Sequence, residues 1–179
     1  MPEIEIRPAK QEDLEGLLAI DHDYTSHYAY QMEILQDAHA ISVNFRNMKL
    51  PRAAAVKYPR NDDELVLSWE KATAIFVGWI NGQIVSYLNL EEIKPTKAIR
   101  VRDLVVVNEK RRLGIASGML LASEEWAAKR KNAMILMELQ TRNYPAISLA
   151  RKLGYQFCGY QDHYFSNKDM ALFFSKFIR

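Results

Sequence analysis

Arg111-Arg112-Leu113-Gly114-Ile115-Ala116 lies between an apolar run, Leu104 to Val107, and an amphipathic segment, and its reading decides the fold. A strand, a short basic turn with one glycine and the start of a helix follow in that order. Such an order aims free backbone N–H groups and the positive end of a helix at one place, where a phosphate can sit. The stretch is not a Walker loop, because the second glycine and the Gly-Lys-Ser/Thr ending are absent. Nor is it a dinucleotide fingerprint, which needs three spaced glycines and a later ribose-binding acid.

Working outward, the helix opening near Gly114 places Ile115, Met119, Ala122 and Trp126 on one face and ends in Lys129-Arg130-Lys131, cations that complement its negative end. Before it, Ile99 to Val107 reads as a strand. Further upstream, Asn81-Gly82 separates two apolar runs, Ala74–Ile80 and Gln83–Leu88, which predicts a tight hairpin because both turn residues take positive φ. After the helix, Ala133 to Leu139 is apolar enough for a strand buried on both faces. A short helix follows, with Pro145 in its first turn and Gly154 just past its end. Tyr155–Tyr160 and Met170–Ile178 read as aromatic-rich strands.

The first third is less regular. Met1 to Glu5 is acidic and alternating, and Ile4–Arg7 reads as a strand closed by Pro8; neither looks like a signal peptide. Leu14, Leu17 and Leu18 have helical spacing behind Gln11, Glu12 and Asp13. Tyr28 to Leu35 reads as a second helix, and Ile41, Val43 and Phe45 alternate as in a strand. Pro51 to Glu64 carries two prolines and no period, so it reads as a loop of about 14 residues, long enough to be a lid or pocket wall.

With 179 residues and 49% apolar content, the chain fits one globular domain over residues 1–179, with no composition break or repeat to divide it. The 24 basic and 22 acidic residues are interspersed and give a net charge of +2, which suggests no nucleic-acid surface. No apolar run approaches the roughly 20 residues of a membrane span. Cys158 is the single cysteine, so no internal disulfide forms, which favours a reducing cytoplasm. The order of elements predicts a mixed α/β fold, antiparallel at first, with a central parallel strand–helix–strand unit.

A second motif completes the pattern. From Asn143 the chain reads Asn-Tyr-Pro-Ala-Ile-Ser-Leu-Ala-Arg-Lys-Leu-Gly-Tyr, one helix and one strand after the first. Arg-x-x-Gly-x-Ala resembles the pyrophosphate loop of the GNAT superfamily of N-acetyltransferases. Asn143, Ala146, Leu149, Lys152, Gly154 and Tyr155 match that superfamily's second motif, and the likeness covers roughly Ile75 to Tyr160. The resemblance implies a mostly antiparallel sheet that splays between its central strands, with acetyl-CoA entering at the splay. It assigns backbone groups of Val105, Val106 and Val107 to the pantetheine arm. It assigns N–H groups of Arg111, Arg112, Leu113, Gly114, Ile115, Ala116 and Ser117 to the pyrophosphate, and Asn143 to the thiol end. Lys110, Arg112 or Arg151 would meet the 3′-phosphate. The implied reaction passes an acetyl group directly to a primary amine of a small molecule or peptide, with a backbone N–H on the valine strand stabilising the oxyanion. Glu138-Leu139-Gln140-Thr141 and the Gly159-Tyr160…Tyr164 segment look somewhat like the streptothricin acetyltransferase branch.

One position departs from the pattern. Ala150 stands where many members carry a tyrosine that protonates the leaving thiolate. Tyr155, Tyr160 and Tyr164 are candidate replacements; water serves as well, because a thiol of pKa near ~8.5 is a fair leaving group. The alternative is an acyl-CoA-binding sensor with its chemistry lost. For the base that takes the amine proton, Asp103 comes first, Glu138 second and Glu91 or Glu92 third, each against a structural role beside Arg100 or Arg102. Tyr24, His27 and Tyr28 fall where the superfamily builds its acceptor pocket. His22, His27 and His39 with Asp21 and Asp23 match no metal-ligand spacing, so no metal is expected. Cys158 reads as a packed thiol, and Phe173, Phe174 and Phe177 as core or, on an exposed C-terminal strand, as a surface that pairs two subunits. A homodimer is the default for a small enzyme of this kind.

Overall fold

The computed structural model describes residues 4–178, so the first three residues of the N-terminal strand reading lie outside the described residues. The elements run β1 (Glu5–Pro8), α1 (Leu14–Leu18), β2 (Tyr24–Gln36), β3 (Ile41–Val56), α2 (Asp62–Glu70), β4 (Ala74–Ile80), β5 (Gln83–Ile93), β6 (Ala98–Val106), α3 (Ile115–Lys129), β7 (Met134–Gln140), α4 (Tyr144–Lys152), β8 (Gln156–Gln161) and β9 (Ala171–Phe177). Seven strands form one sheet in the order β1-β4-β5-β6-β7-β9-β8, and β2 and β3 form a separate two-stranded arm. Every pairing in the sheet is antiparallel except β6 with β7. Among the described residues, no helix is long and apolar enough to cross a membrane.

Local chemistry explains the regular parts. Asn81 (φ 51°) and Gly82 (φ 77°) both take left-handed conformations, turning β4 into β5. Gly114 (φ 85°) caps α3, and Gly154 (φ 86°) follows α4. The buried stripe of α3 is Ile115, Met119, Leu120, Ser123 and Ala127, rotated about one position from the expected face, which leaves Ala122 and Trp126 at its margin. α3 and α4 bury Met119, Leu120 and Ile147 with Leu88, Leu90, Ile99 and Ile135 of the sheet. α1 and α2 bury Leu17, Leu65 and Trp69 with Val77, Tyr87 and Val105. Each fully buried Leu or Ile side chain contributes about 1.5–3 kcal/mol, so these two clusters hold the helices to the sheet.

Four readings need correction. Tyr28 to Leu35 is part of strand β2, not a helix. Its even-numbered residues Tyr28, Tyr30, Met32 and Ile34 share one face, opposite Lys49, Asn47, Phe45 and Val43 of β3; a period of two was present and outweighed the helical one. Pro51 to Glu64 is not one loop. Pro51–Val56 ends β3, and Asn61 caps α2 in a reciprocal capping box with Glu64. Pro51 is tolerated because β3 pairs on one side only, and because pairing jumps from Ser26↔Ala54 to Tyr28↔Lys49, leaving Leu50 to Ala53 unpaired. Cys158 is exposed, since it occupies the bulge between Phe157 and Gly159 on edge strand β8. Phe174 is core, but Phe177 is 70% exposed at the end of β9.

Candidate active site

β6 and β7 pair over only four positions, Ala98↔Met134 to Val101↔Met137. Beyond Val101 the two strands part, although β6 stays paired with β5 as far as Val106. A cavity of about 490 Å³ opens in this fork. One end is lined by Arg112, Gly114, Ile115, Ala116 and Ser117, the other by His22, Tyr24, Tyr58, Arg60, Glu138 and Phe165.

Strand alternation selects the free backbone groups in the fork. Val107 N–H donates to Val85 C=O at 2.9 Å, so Val105 also faces β5, and residues 104 and 106 face the β7 side. Val106 C=O already accepts from Arg111 Nε at 2.9 Å. The Leu104 N–H and C=O and the Val106 N–H are therefore left for a ligand, shifted one position from the Val105–Val107 expectation.

At the loop, Arg112 (φ 66°) and Gly114 (φ 85°) are left-handed, and the first backbone bond of α3 runs from Gly118 N–H to Gly114 C=O at 3.0 Å. The N–H groups of Ile115, Ala116 and Ser117 precede that bond and point out of the helix end. Lys110, Arg112 and Lys152 line the same end. Free N–H groups, a helix N-terminus and cations together suit a pyrophosphate, and the free strand backbone suits an amide-bearing arm. These residues fit acetyl-CoA.

The expected cofactor residues are not all alike. Val105 and Val106 line the cavity with every loop residue from Lys110 to Ser117 apart from Leu113, which is 42% exposed. Arg111 N–H closes a turn onto Asn108 C=O at 3.2 Å, and its guanidinium faces carbonyls. Asn143 lines the cavity, and its side chain caps α4 by accepting from Ala146 N–H at 3.1 Å. Arg151 points instead to the Tyr30 hydroxyl at 3.2 Å, and Lys152 is the α4 cation at the cavity.

At the other end, Asp103 is fully buried behind the wall. Its carboxylate accepts from Tyr58 Oη (2.6 Å), Arg60 Nη1 (2.9 Å) and Asn89 Nδ2 (2.9 Å). Glu138 is the one carboxylate lining the cavity among the described residues. It is held by Arg100 Nε at 2.8 Å and Arg102 Nη1 at 3.3 Å, with Arg60 at 3.8 Å. Burial, then a hydrogen bond to Glu138, pushes the Tyr164 hydroxyl up to about 12. Glu91 pairs with Arg100 and Arg102, and Glu92 with Arg130 and Asn132.

Tyr24 lines the cavity and donates to Gln140 Oε1 at 2.8 Å; burial raises its pKa well above the ordinary tyrosine value. His27 is exposed, and Tyr28 stacks on Tyr144 at 4.7 Å instead of facing the cavity. Tyr160 packs against Phe45 of the arm at 5.2 Å, away from the cavity, because β8 lies at the far edge of the sheet. Tyr155 is 2% exposed in the core. Ala150 is fully buried on the core face of α4, so that position adds no group to the cavity.

Four wall residues escaped sequence reading as site residues: Tyr58, Arg60, Gln140 and Phe165. Only the length of the stretch holding the first two hinted at a wall. His22, in the same wall, bonds the Tyr87 hydroxyl at 2.8 Å. Burial keeps its imidazole below the ordinary histidine pKa, against the pull of the Ile20 carbonyl and Asp103.

Known proteins share this fold. The model of the acetyltransferase (GNAT) family matches residues 42–155. An N-alpha-acetyltransferase of Sulfurisphaera tokodaii is 32% identical over 114 residues, 57% of this chain and 68% of that protein. The crystal structure of nourseothricin acetyltransferase superposes with a TM-score of 0.85 at 19% identity, covering 98% of this chain and 99% of that one. A Bacillus anthracis str. Ames structure assigned to streptothricin acetyltransferase, in complex with acetyl coenzyme A, gives 0.79 at 16% identity and 99% of both chains. The chain belongs to the GNAT family of acetyltransferases, and its reaction is the acetyl-CoA-dependent acetylation of an amine.

Proposed function

We propose that the acceptor is a primary amine of a small molecule. The observation that carries this is the roof over the acceptor end of the cavity. Arm strand β2 crosses the fork and is fastened there by Tyr24 to Gln140, by Tyr30 N–H to Thr141 C=O at 2.9 Å, and by Tyr28 on Tyr144. A long peptide bound by strand addition needs an open trough with a free strand edge along it; here Tyr24, Tyr58 and Phe165 line the amine's approach. The superposition with nourseothricin acetyltransferase over 98% of this chain, arm included, supports the same reading. The 32% identity to an N-alpha-acetyltransferase favours a peptide N-terminus as the second reading.

Acetyl-CoA supplies the acetyl thioester. The chain's own groups do the rest: Leu104 and Val106 backbone orient the arm, the α3 end holds the pyrophosphate, and the aromatic wall positions the amine in the fork. Glu138 takes the proton that the amine must lose, because it is the carboxylate at the cavity. Asp103, behind Tyr58, holds the wall in place. With Ala150 buried, water protonates the departing thiolate.

The test is CoA release with streptothricin, polyamines, aminoglycosides and short peptides, for wild type and Glu138→Gln. Turnover with small amines supports the proposal, and turnover confined to peptides refutes it. E138Q should lower kcat about 100-fold or more with acetyl-CoA affinity unchanged; full activity in that variant removes Glu138 from the chemistry.

A further inference from the structure

The arginine that opens the phosphate-binding motif turns its side chain away from the place where phosphate would sit. Arg111 Nε donates to Val106 C=O at 2.9 Å, and Nη2 donates to Asp23 C=O at 3.0 Å and Asp21 C=O at 3.2 Å. One planar guanidinium thus joins the end of β6 to the segment ahead of β2, with the rigid fork geometry that only arginine supplies. Asn108 Nδ2 reinforces the joint by donating to Asp21 Oδ2 at 2.8 Å.

The clamped segment is part of the acceptor wall. His22 and Tyr24 lie within it, and both line the cavity. It also continues into the deeper wall, since Asp23 Oδ1 accepts from Tyr58 N–H at 2.9 Å and Tyr58 Oη donates to Asp103 at 2.6 Å. Between Arg111 and the cofactor's N–H cradle lies only the turn of Arg112, Leu113 and Gly114, the last of them the residue that caps α3. A ligand that orders this turn also orders the base of the Arg111 side chain.

We infer that Arg111 is a positioning residue: its guanidinium couples the cofactor loop to the acceptor-side segment Asp21–Tyr24, so that filling the loop stiffens the wall against which the amine is placed. This rests on the acetyl-CoA reading above and assigns the cofactor a second task, preparing the acceptor end before the amine arrives. The energy of such coupling comes from ordering shared by both sites and needs no large movement.

Hydrogen exchange over residues 20–26, read with and without acetyl-CoA, tests the coupling alongside calorimetric acetyl-CoA affinity. The full chain is used as wild type, Arg111→Ala and Arg111→Lys. In wild type, acetyl-CoA slows exchange in this segment. In R111A the segment exchanges about tenfold faster and acetyl-CoA no longer slows it, while Kd changes by less than about threefold. R111K keeps the charge but cannot reach three carbonyls together, so it lies between the two and stands in if R111A fails to fold. A tenfold or larger loss of acetyl-CoA affinity with wild-type exchange would make Arg111 a phosphate ligand and overturn the inference. Faster exchange that acetyl-CoA still slows by the wild-type factor overturns it too, reducing Arg111 to a local brace. If wild type binds no acetyl-CoA, the cofactor reading falls and this coupling with it; binding without coupling sinks this inference alone.

Discussion

Asp103 and Glu138 show how residues of one type are separated by their surroundings. Both carboxylates sit on neighbouring central strands, and both are nearly without solvent exposure. Asp103 is enclosed by Tyr58, Arg60 and Asn89, whereas Glu138 meets the cavity. Asp103→Asn leaves the Arg60 guanidinium, 9% exposed, with only the more distant Glu138 at 3.8 Å as counter-charge, which costs up to about 3 kcal/mol of folding stability. Urea unfolding of D103N should show this loss while acetyl-CoA binding persists at temperatures where the variant is folded. Wild-type stability in D103N would mean that Asp103 is no wall support. The sequence places both carboxylates on central strands but cannot say which one Tyr58 covers, because Tyr58 arrives from 45 residues upstream.

Elements differ in how openly the chain announces them. The turn at Gly114 was legible because one local requirement, a left-handed residue ahead of a helix, has few spellings. Gly114→Ala puts a Cβ on a residue at φ 85°, a strain of about 1–2 kcal/mol relieved only by moving the N–H cradle. Calorimetry should show weaker acetyl-CoA binding in G114A, and unchanged affinity would detach the cradle from the cofactor. The arm was misread for the opposite reason. Tyr28 to Leu35 carries both a period of two and a passable helical spacing, and the deciding partner, β3, begins at Ile41 beyond an unremarkable turn. The arm's role as a roof depends on bonds to Gln140 and Thr141, more than a hundred residues away, which no local pattern encodes.

For the whole molecule, titration should reveal two layers of stability. Burial depresses the His22 pKa, so the folded state resists its protonation. His22 therefore contributes stability that is complete above the unfolded value of about 6.5 and falls as pH drops from there through the folded pKa. Asp13, held low by hydrogen bonds from Arg7, and Asp23, held low by Lys57, contribute stability that is present above about 4 and lost as pH falls through their own lower values. Urea midpoints at pH 8, 5.5 and 3.5 should decline in both intervals, and His22→Asn should flatten the upper one. A flat profile between pH 8 and 5.5 in wild type would contradict the buried, neutral imidazole.

The four-residue seam between β6 and β7 has a consequence for endurance. Strands β1, β4, β5 and β6 form one panel of the sheet and β7, β9 and β8 the other, and among the described residues the only strand pairing between the panels is the stretch from Ala98 to Val101. A ligand lying along Leu104 and Val106 acts as a removable suture between the panels. At a hundredfold excess over its Kd, such a ligand stabilises the folded chain by about 2.7 kcal/mol, a rise in melting temperature of roughly 5–10 °C. The enzyme should therefore be hardiest when charged with acetyl-CoA and most perishable when starved of it, tying its lifetime to the acetyl supply it consumes.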